Sequence, residues 1–285
     1  MSKVIFDCGE IGWSMYHRAH LQWRHDQGET PPNVVVWTLI DRYRFYQGGL
    51  AQVVLTDLPK ELLSPFIVRN NWLYNGYESN LSEMLSKCQI NPQDLLHGFK
   101  DIERYTGKMV FKPFIVQPYE LLSYDKLMEG LDRSKENIVL MPRSKYGAAF
   151  TEFRNWSHTK WLILYNLLLA NLPEYNIIVC GKLGQVYRLG ENGRRELHII
   201  NDSPLDEILW VLNDPQTVLV VSSQSFGGKL ALLQNVDTLM WGHEKYRHQV
   251  AENWSTQEGV TCTFIEDMNY SSSPELIFET IEGLL

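Results

Sequence analysis

The chain has 285 residues and is acidic, with a formal net charge of −8 and a pI near 5.5. Apolar residues make up 44% and charged residues 21%, which is typical of folded globular proteins and excludes a disordered or fibrous chain. The acidic balance argues against an extended basic surface that would bind nucleic acid through its phosphates. The length predicts two compact domains.

The termini and cysteines predict where the protein resides. No apolar run approaches the roughly 20 residues that span a bilayer, and the first residues have the pattern of a strand rather than of a signal peptide. The four cysteines, Cys8, Cys88, Cys180 and Cys262, are widely scattered without CxxC spacing, so we interpret them as reduced residues. We therefore expect a cytoplasmic protein without a membrane span.

The first half of the chain is predicted to alternate strands with helices. A short apolar strand over 4–8 is followed by a glycine turn and a helix in which aromatic residues recur with helical spacing. Two β-branched runs, 34–37 and 52–55, predict further strands of a parallel sheet. Segments 81–85 and 95–99 are candidate helices.

A proline-bearing, charged segment over 109–137 separates this half from the next. We place the domain boundary within it, so that the predicted N-terminal domain covers 1–130. The predicted C-terminal domain covers 131–270, and 271–285 is predicted to be a closing helix.

The second half repeats the alternation more clearly and predicts a Rossmann-like domain. Three helix starts are marked by Ser157, by Ser203 with Pro204, and by Ser273, each a residue type that caps helices. The predicted strands are 138–141, 176–180, 197–200, 217–222, 237–240 and 261–265, and the predicted helices are 158–171, 204–212, 227–234 and 274–284.

Ligands of open α/β sheets bind beyond the carboxyl ends of the strands, so the residues after each strand are the candidates for chemistry. The first such place contains Gly9, Glu10 and Gly12. The glycines permit a tight turn, and the helix start that follows favours an anion. Glu10 is then a cleft carboxylate. The structural alternative is that the glycines only permit the turn and Glu10 is a solvated acid at the helix start.

Basic residues follow two strands of the second half. Arg143, Lys145 and Arg154 come after its first strand and are suited to hold a phosphate. Gly181 and Lys182 follow the next strand, where the glycine would let a nucleotide approach and the lysine would meet its ribose or phosphate. The alternative interpretation is a solvated basic loop.

The strongest candidate is a small-residue loop that leads from an apolar strand into a helix. It contains Ser223, Gln224, Ser225, Gly227 and Gly228. Such a loop at a helix N-terminus offers unpaired N–H groups and the positive end of the helix dipole, which suit a diphosphate. The alternative is a plain capped turn.

His243 follows the next strand and is a candidate phosphate or base contact, although a lone histidine is also common as a structural residue. The sequence contains no Walker A loop, no GxGxxG, no HExxH, no Asp-x-Asp pair and no GxSxG elbow. We therefore expect no metal site and no cofactor.

The same places, in the same order, resemble the heptosyltransferase-like family of GT-B glycosyltransferases. That family's turn after the first strand is similar to CGEIGWSM, its proline turn with a basic-tryptophan stretch resembles PRS and FRNWSHTKW, and its diphosphate-binding helix, strand and loop resemble the segment from INDSP to MWG. Two features depart from the family pattern. Gln224 and Lys229 stand where the family has an aspartate and a histidine, and the N-terminal half is shorter than usual.

The resemblance implies two Rossmann-like α/β domains facing a central cleft, with the acceptor on the N-terminal side. It implies an inverting, metal-independent transfer of a sugar from a nucleotide-sugar donor to a glycan or other hydroxyl acceptor, with Glu10 as the catalytic base. A nucleotide-sugar epimerase of the same fold and a non-catalytic binding scaffold are the alternatives. Glu10 favours an enzyme over the scaffold, because a protein that only binds has little use for a carboxylate at this position.

Overall fold

The structure is a computed structural model of the chain. It describes residues 3–7, 11–28, 34–38, 43, 45–46, 51–55, 85–86, 89–96, 114, 116, 127–144, 154–201, 204–244 and 255–285. The chain divides into two compact units, Met1–Phe114 and Ile115–Leu285. The domain limits predicted from the sequence, after residues 130 and 270, stay predictions.

The first unit contains a four-stranded sheet whose described pairings are all parallel. Its strand order is β3-β2-β1-β4, and helix α1, Ile11–Asp26, connects β1 to β2. The strands are β1 (Lys3–Asp7), β2 (Val34–Thr38), β3 (Gln52–Leu55) and β4 (Leu95–Leu96). The predicted alternation of strands with helices is confirmed for this part of the unit.

The candidate helix over 95–99 was wrong at its first two residues. Leu95 and Leu96 form β4 and pair with Val4 and Ile5 of β1. Sheet pairing across the unit outweighs the weak local preference of two leucines for a helix. Most of the other candidate helix, 81–85, lies outside the described residues.

The second unit contains a six-stranded parallel sheet with the order β10-β9-β8-β5-β6-β7. The chain runs outward from β5 on one side through β6 and β7, and then returns to the other side of β5 with β8. The strands are β5 (Glu136–Met141), β6 (Tyr175–Lys182), β7 (Glu196–Asn201), β8 (Thr217–Ser223), β9 (Thr238–Gly242) and β10 (Cys262–Glu266). This is a doubly wound sheet, and its topological switch point lies between β5 and β8, where the strand order reverses.

The described residues of this unit form the helices α2 (His158–Asn171), α3 (Leu205–Leu212), α4 (Phe226–Leu233) and α5 (Pro274–Glu282). Ser157 caps α2 by accepting from the Lys160 amide at 3.3 Å, and Ser273 caps α5 by accepting from the Leu276 amide at 3.2 Å. Both predicted caps are thus confirmed. Within the described ranges, no helix is both long enough and apolar enough to cross a membrane.

The predicted start of α3 was wrong by one residue. Pro204 occupies the N-cap position, so the helix begins at Leu205. The Pro204 side chain supplies no acceptor for the helix amides. Ser203 lies outside the described residues. Asp206 and Glu207 in the first turn complement the positive helix end instead.

The core of the second unit is built around three tryptophans that are fully buried. Trp156 lies edge-on to both Trp161 and Trp241, with ring centroids 5.2 and 5.0 Å away. Ile277 and Ile281 of the closing helix α5 belong to the same core, where α5 packs on α2. The closing helix predicted from the sequence therefore contributes apolar surface to the second unit.

Candidate functional site

The carboxyl edge of the second sheet brings together residues that the sequence separates by up to 100 positions. Arg143 follows β5, Gln224 follows β8 and His243 follows β9. Because these three strands are neighbours in a parallel sheet, their ends lie side by side. This edge adjoins the switch point of the sheet, where ligands of doubly wound folds bind.

Two guanidinium groups lie close together at this edge. Arg143 donates to the Asn155 side-chain oxygen, and Arg154 Nη1 donates to the Gln224 carbonyl oxygen over a long 3.5 Å. Burial, together with the positive charge of Arg154, lowers the pKa of Arg143 to about 10. An anion bound here would offset the repulsion between the two charges.

The small-residue loop leads into the start of α4, and its Gln224 carbonyl accepts a hydrogen bond from Arg154. Ser225 is the N-cap residue, but its side chain makes no capping hydrogen bond and lies 3.1 Å from the Ser222 hydroxyl instead. Ser222 in turn donates to the Ser223 carbonyl oxygen at 2.5 Å. The Ser223 hydroxyl is buried and has no hydrogen-bond partner in the part of the chain that the structure describes. The first amides of α4 are therefore not satisfied by the serine side chain that precedes them.

Gly227 and Gly228 are needed for close packing of α4 on the sheet. A Cβ at Gly227 would overlap the Met141 side chain of β5, and a Cβ at Gly228 would lie 2.8 Å from Cγ of Met240 in β9. Both glycines let the helix start approach the strand ends. The direct ligand contact predicted for them stays a prediction.

Gln224 is nearly fully buried and ties the end of β8 to the end of β9. Its Nε2 donates to the His243 carbonyl oxygen, and its Oε1 accepts from the His243 amide, each at 3.2 Å. Gly242 permits this arrangement because a Cβ there would overlap the Gln224 side chain. The Gln224 side chain thus shapes the loop, and its predicted contact with a ligand, like that of His243, stays a prediction.

Gly181 and Lys182 are the last two residues of β6 and pair with the end of β7, so the prediction that they follow the strand was wrong. A Cβ at Gly181 would overlap the Val186 side chain, so glycine is needed there for packing. The chain after β6 folds back onto the residues after β5, with the Ser144 amide donating to the Gln185 carbonyl at 2.8 Å. The predicted nucleotide contacts of both residues stay predictions.

Three of the predicted site residues, Gly9, Glu10 and Lys145, lie outside the described residues. Gly12 is the second residue of α1, because the helix begins at Ile11. The interpretation of Gly12 as part of the turn was therefore wrong. Its amide belongs to the first helical turn, whose N–H groups have no partner within the helix.

Tyr270 was missed by the sequence analysis. Its hydroxyl donates to Oε1 of Gln224 at 2.7 Å, and the residue is almost completely buried. The signal that could have pointed to it is a tyrosine in the short turn after β10, the next strand along the same sheet edge.

The two parallel-sheet units match solved structures of the GT-B fold, so the predicted fold class of two Rossmann-like α/β domains is confirmed. The E. coli ADP-heptose lipopolysaccharide heptosyltransferase II matches with a TM-score of 0.57 and 13% identity over 100% of this chain and 98% of that chain. A glycosyl transferase family 9 structure from Veillonella parvula matches with a TM-score of 0.56 and 9% identity, over 99% and 97%.

The E. coli heptosyltransferase WaaC, solved with ADP-2-deoxy-2-fluoro heptose, matches with a TM-score of 0.54 and 11% identity over 99% of both chains. No protein-family model matches the sequence. No curated protein matches it either. At these identities the likeness establishes the fold.

Proposed function

We propose that the chain is a glycosyltransferase that transfers a sugar from a nucleotide-sugar donor to a hydroxyl acceptor, with inversion and without a metal ion. One observation carries the proposal: Arg154 contacts the small-residue loop at the start of α4, and Arg143 lies within its electrostatic influence. Guanidinium groups and helix N-termini commonly bind diphosphates in proteins.

The chemistry requires stabilisation of the leaving nucleoside diphosphate. As the bond between the anomeric carbon and the diphosphate oxygen breaks, negative charge grows on that oxygen. Preorganised donors aimed at growing charge are an effective source of catalysis. The two arginines and the α4 amides supply them here, in the place that a divalent cation fills in other enzymes.

Glu10 is the proposed general base. It takes the proton of the acceptor hydroxyl while the hydroxyl oxygen bonds to the anomeric carbon and the diphosphate leaves with the bonding electrons. A single displacement of this kind inverts the configuration at that carbon. The acceptor is a glycan or another hydroxyl compound on the N-terminal side. The proposed location is the cytoplasm, where cysteines stay reduced.

Nucleotide binding is the first test, and ADP is the first probe because a similar structure was solved with an ADP-sugar analogue. At 100 times its dissociation constant, a nucleotide stabilises the protein by roughly 2.7 kcal/mol, which a thermal-shift assay detects. We expect the same shift in EDTA and in magnesium. A panel of nucleoside diphosphates and sugar nucleotides covers other bases.

The outcomes separate the possible functions. No shift with any nucleotide would refute the proposal, and a shift that needs magnesium would refute metal independence. Turnover that requires an acceptor supports a transferase. Turnover of the sugar nucleotide alone, with no acceptor, indicates an epimerase, and binding without turnover indicates a scaffold.

A further inference from the structure

Tyr270 lies in a rigid turn between β10 and α5. Its φ is +53°, in the left-handed region that is uncommon for residues other than glycine. Asp267 holds the turn: its carboxylate accepts from the Ser271 hydroxyl at 3.2 Å and from the Ser272 amide at 2.6 Å. The Asp267 amide donates to the Gly242 carbonyl at 2.8 Å, which anchors the turn to the end of β9. The turn thus presents the Tyr270 ring at a defined place.

The Tyr270 hydroxyl completes the hydrogen bonds of Gln224. Oε1 of Gln224 accepts from that hydroxyl at 2.7 Å and from the His243 amide at 3.2 Å. The main-chain N–H of Gln224 donates to the Trp241 carbonyl at 2.8 Å. Hydrogen bonds therefore fix the buried glutamine to β9, to the residue after β9 and to the turn that contains Tyr270.

The same phenol lies within the electrostatic influence of the two arginines of the candidate site. Burial raises the pKa of Tyr270, while the charges of Arg154 and Arg143 act in the opposite direction. The net shift is upward, so the phenol stays protonated and remains a donor at neutral pH. Gln224, which receives this donor on its side chain, offers its main-chain carbonyl to Arg154.

We propose that Tyr270 is a positioning residue of the nucleotide site, which acts through Gln224 to hold the loop at residues 222–225 and Arg154 in the arrangement that receives the diphosphate. This inference rests on the proposed function. Tyr270 contributes to affinity through Gln224, without touching the nucleotide. Removing its hydroxyl leaves Gln224 with one donor fewer and frees the loop to adopt other conformations.

The test compares two tyrosine-to-phenylalanine variants of the full chain. Tyr270→Phe removes the hydroxyl described above. Tyr165→Phe is the matched control, because Tyr165 is equally buried and donates to Glu196 at 2.5 Å. Glu196 is the first residue of β7, so this second hydrogen bond lies at the amino edge of the sheet. For each variant, calorimetric titration measures the affinity for ADP, and a melting curve without nucleotide measures the thermal stability.

We expect Tyr270→Phe to weaken ADP binding about 5- to 10-fold, the loss that corresponds to one buried hydrogen bond. Tyr165→Phe should bind ADP like the wild type, although both variants should melt at somewhat lower temperature. Unchanged ADP binding by Tyr270→Phe, or an equal loss in Tyr165→Phe, would overturn the inference. If the wild type binds no nucleoside diphosphate, the proposed function fails first and this role fails with it.

A second comparison tests whether Tyr270 acts through Gln224. In a Gln224→Met background the hydroxyl has no acceptor on residue 224, so adding Tyr270→Phe should cause no further loss of ADP affinity. Two losses that simply add would show that Tyr270 acts by another route. The Tyr165→Phe comparison still decides the proposal if Gln224→Met fails to fold.

Discussion

Among the predicted phosphate-binding residues, Arg154 contacts the small-residue loop through its hydrogen bond to the Gln224 main-chain carbonyl. We expect Arg154→Met to weaken binding of ADP about 10- to 100-fold, because a hydrogen bond from a charged group is worth more than a neutral one. Calorimetric titration measures the loss. Methionine keeps the length of the side chain without its charge.

Arg194→Met is the control for that substitution. Arg194 is exposed and lies just before β7, at the amino edge of the sheet. Its replacement should leave the dissociation constant for ADP unchanged. Equal losses in the two variants would mean that the effect comes from net charge and not from the site.

At the level of secondary structure, the turn after β10 depends on the ionised carboxylate of Asp267. Burial raises the pKa of Asp267, but hydrogen bonds from Ser271 and Ser272 outweigh it and hold the pKa below its ordinary value of 3.8. The carboxylate therefore stabilises the fold fully above that ordinary value. The stabilisation is lost as the pH falls through the lower pKa of the folded state.

We expect Asp267→Asn to lower the free energy of unfolding by about 2 kcal/mol at pH 7, because its new NH₂ group faces donors. The difference from wild type should persist at pH 5 and shrink below about pH 4. Urea unfolding at several pH values measures it. Glu266→Gln, at the exposed neighbouring position, should leave the free energy of unfolding at pH 7 nearly unchanged. A constant difference for Asp267→Asn down to pH 3 would contradict the assignment.

Helix α4 provides a second test at this scale. Gly228→Ala places a methyl group against the buried Met240 side chain and should destabilise the protein by about 1–3 kcal/mol, even though alanine is the better helix former. Gly283→Ala meets only ordinary contacts at 3.6 Å and should be neutral or slightly stabilising. Denaturant unfolding compares the two, and a stabilised Gly228→Ala would show that α4 packs less closely than described.

For the whole molecule, the proposed function divides the work between the two halves of the chain. Glu10→Gln should lower kcat about 10²- to 10⁴-fold, because glutamine keeps the size of the side chain but does not accept the proton. The dissociation constant for ADP should change little, because the diphosphate is assigned to the second unit. Steady-state kinetics and ADP titration of the same preparation separate the two effects.

Glu129→Gln, at an exposed acid, controls for the loss of one negative charge. If Glu10→Gln keeps full transferase activity, Glu10 is only an acid at the start of a helix. The base would then lie elsewhere, with His17 and His20 of α1 as the next residues to replace.

Local sequence patterns predicted the helices and strands of the second unit to within one or two residues. Helix 158–171 agrees at both ends, and Ser157 and Ser273 cap as predicted. These features are local: apolar periodicity, capping hydroxyls and prolines act within a few residues of the chain. The same local signals identified the loops that follow each strand, which is why Arg143, Arg154 and Gln224 could be selected before their contacts were seen.

The contacts that those residues make depend on the folding of the whole unit. Tyr270 and Gln224 are 46 residues apart, and their hydrogen bond exists because β8, β9 and β10 are consecutive in the sheet. The glycines of α4 face methionines of β5 and β9, contacts that no local pattern encodes. Strand order and side-chain packing arise from the burial of apolar surface over the whole unit, so residues brought together in this way have no common signal in the sequence.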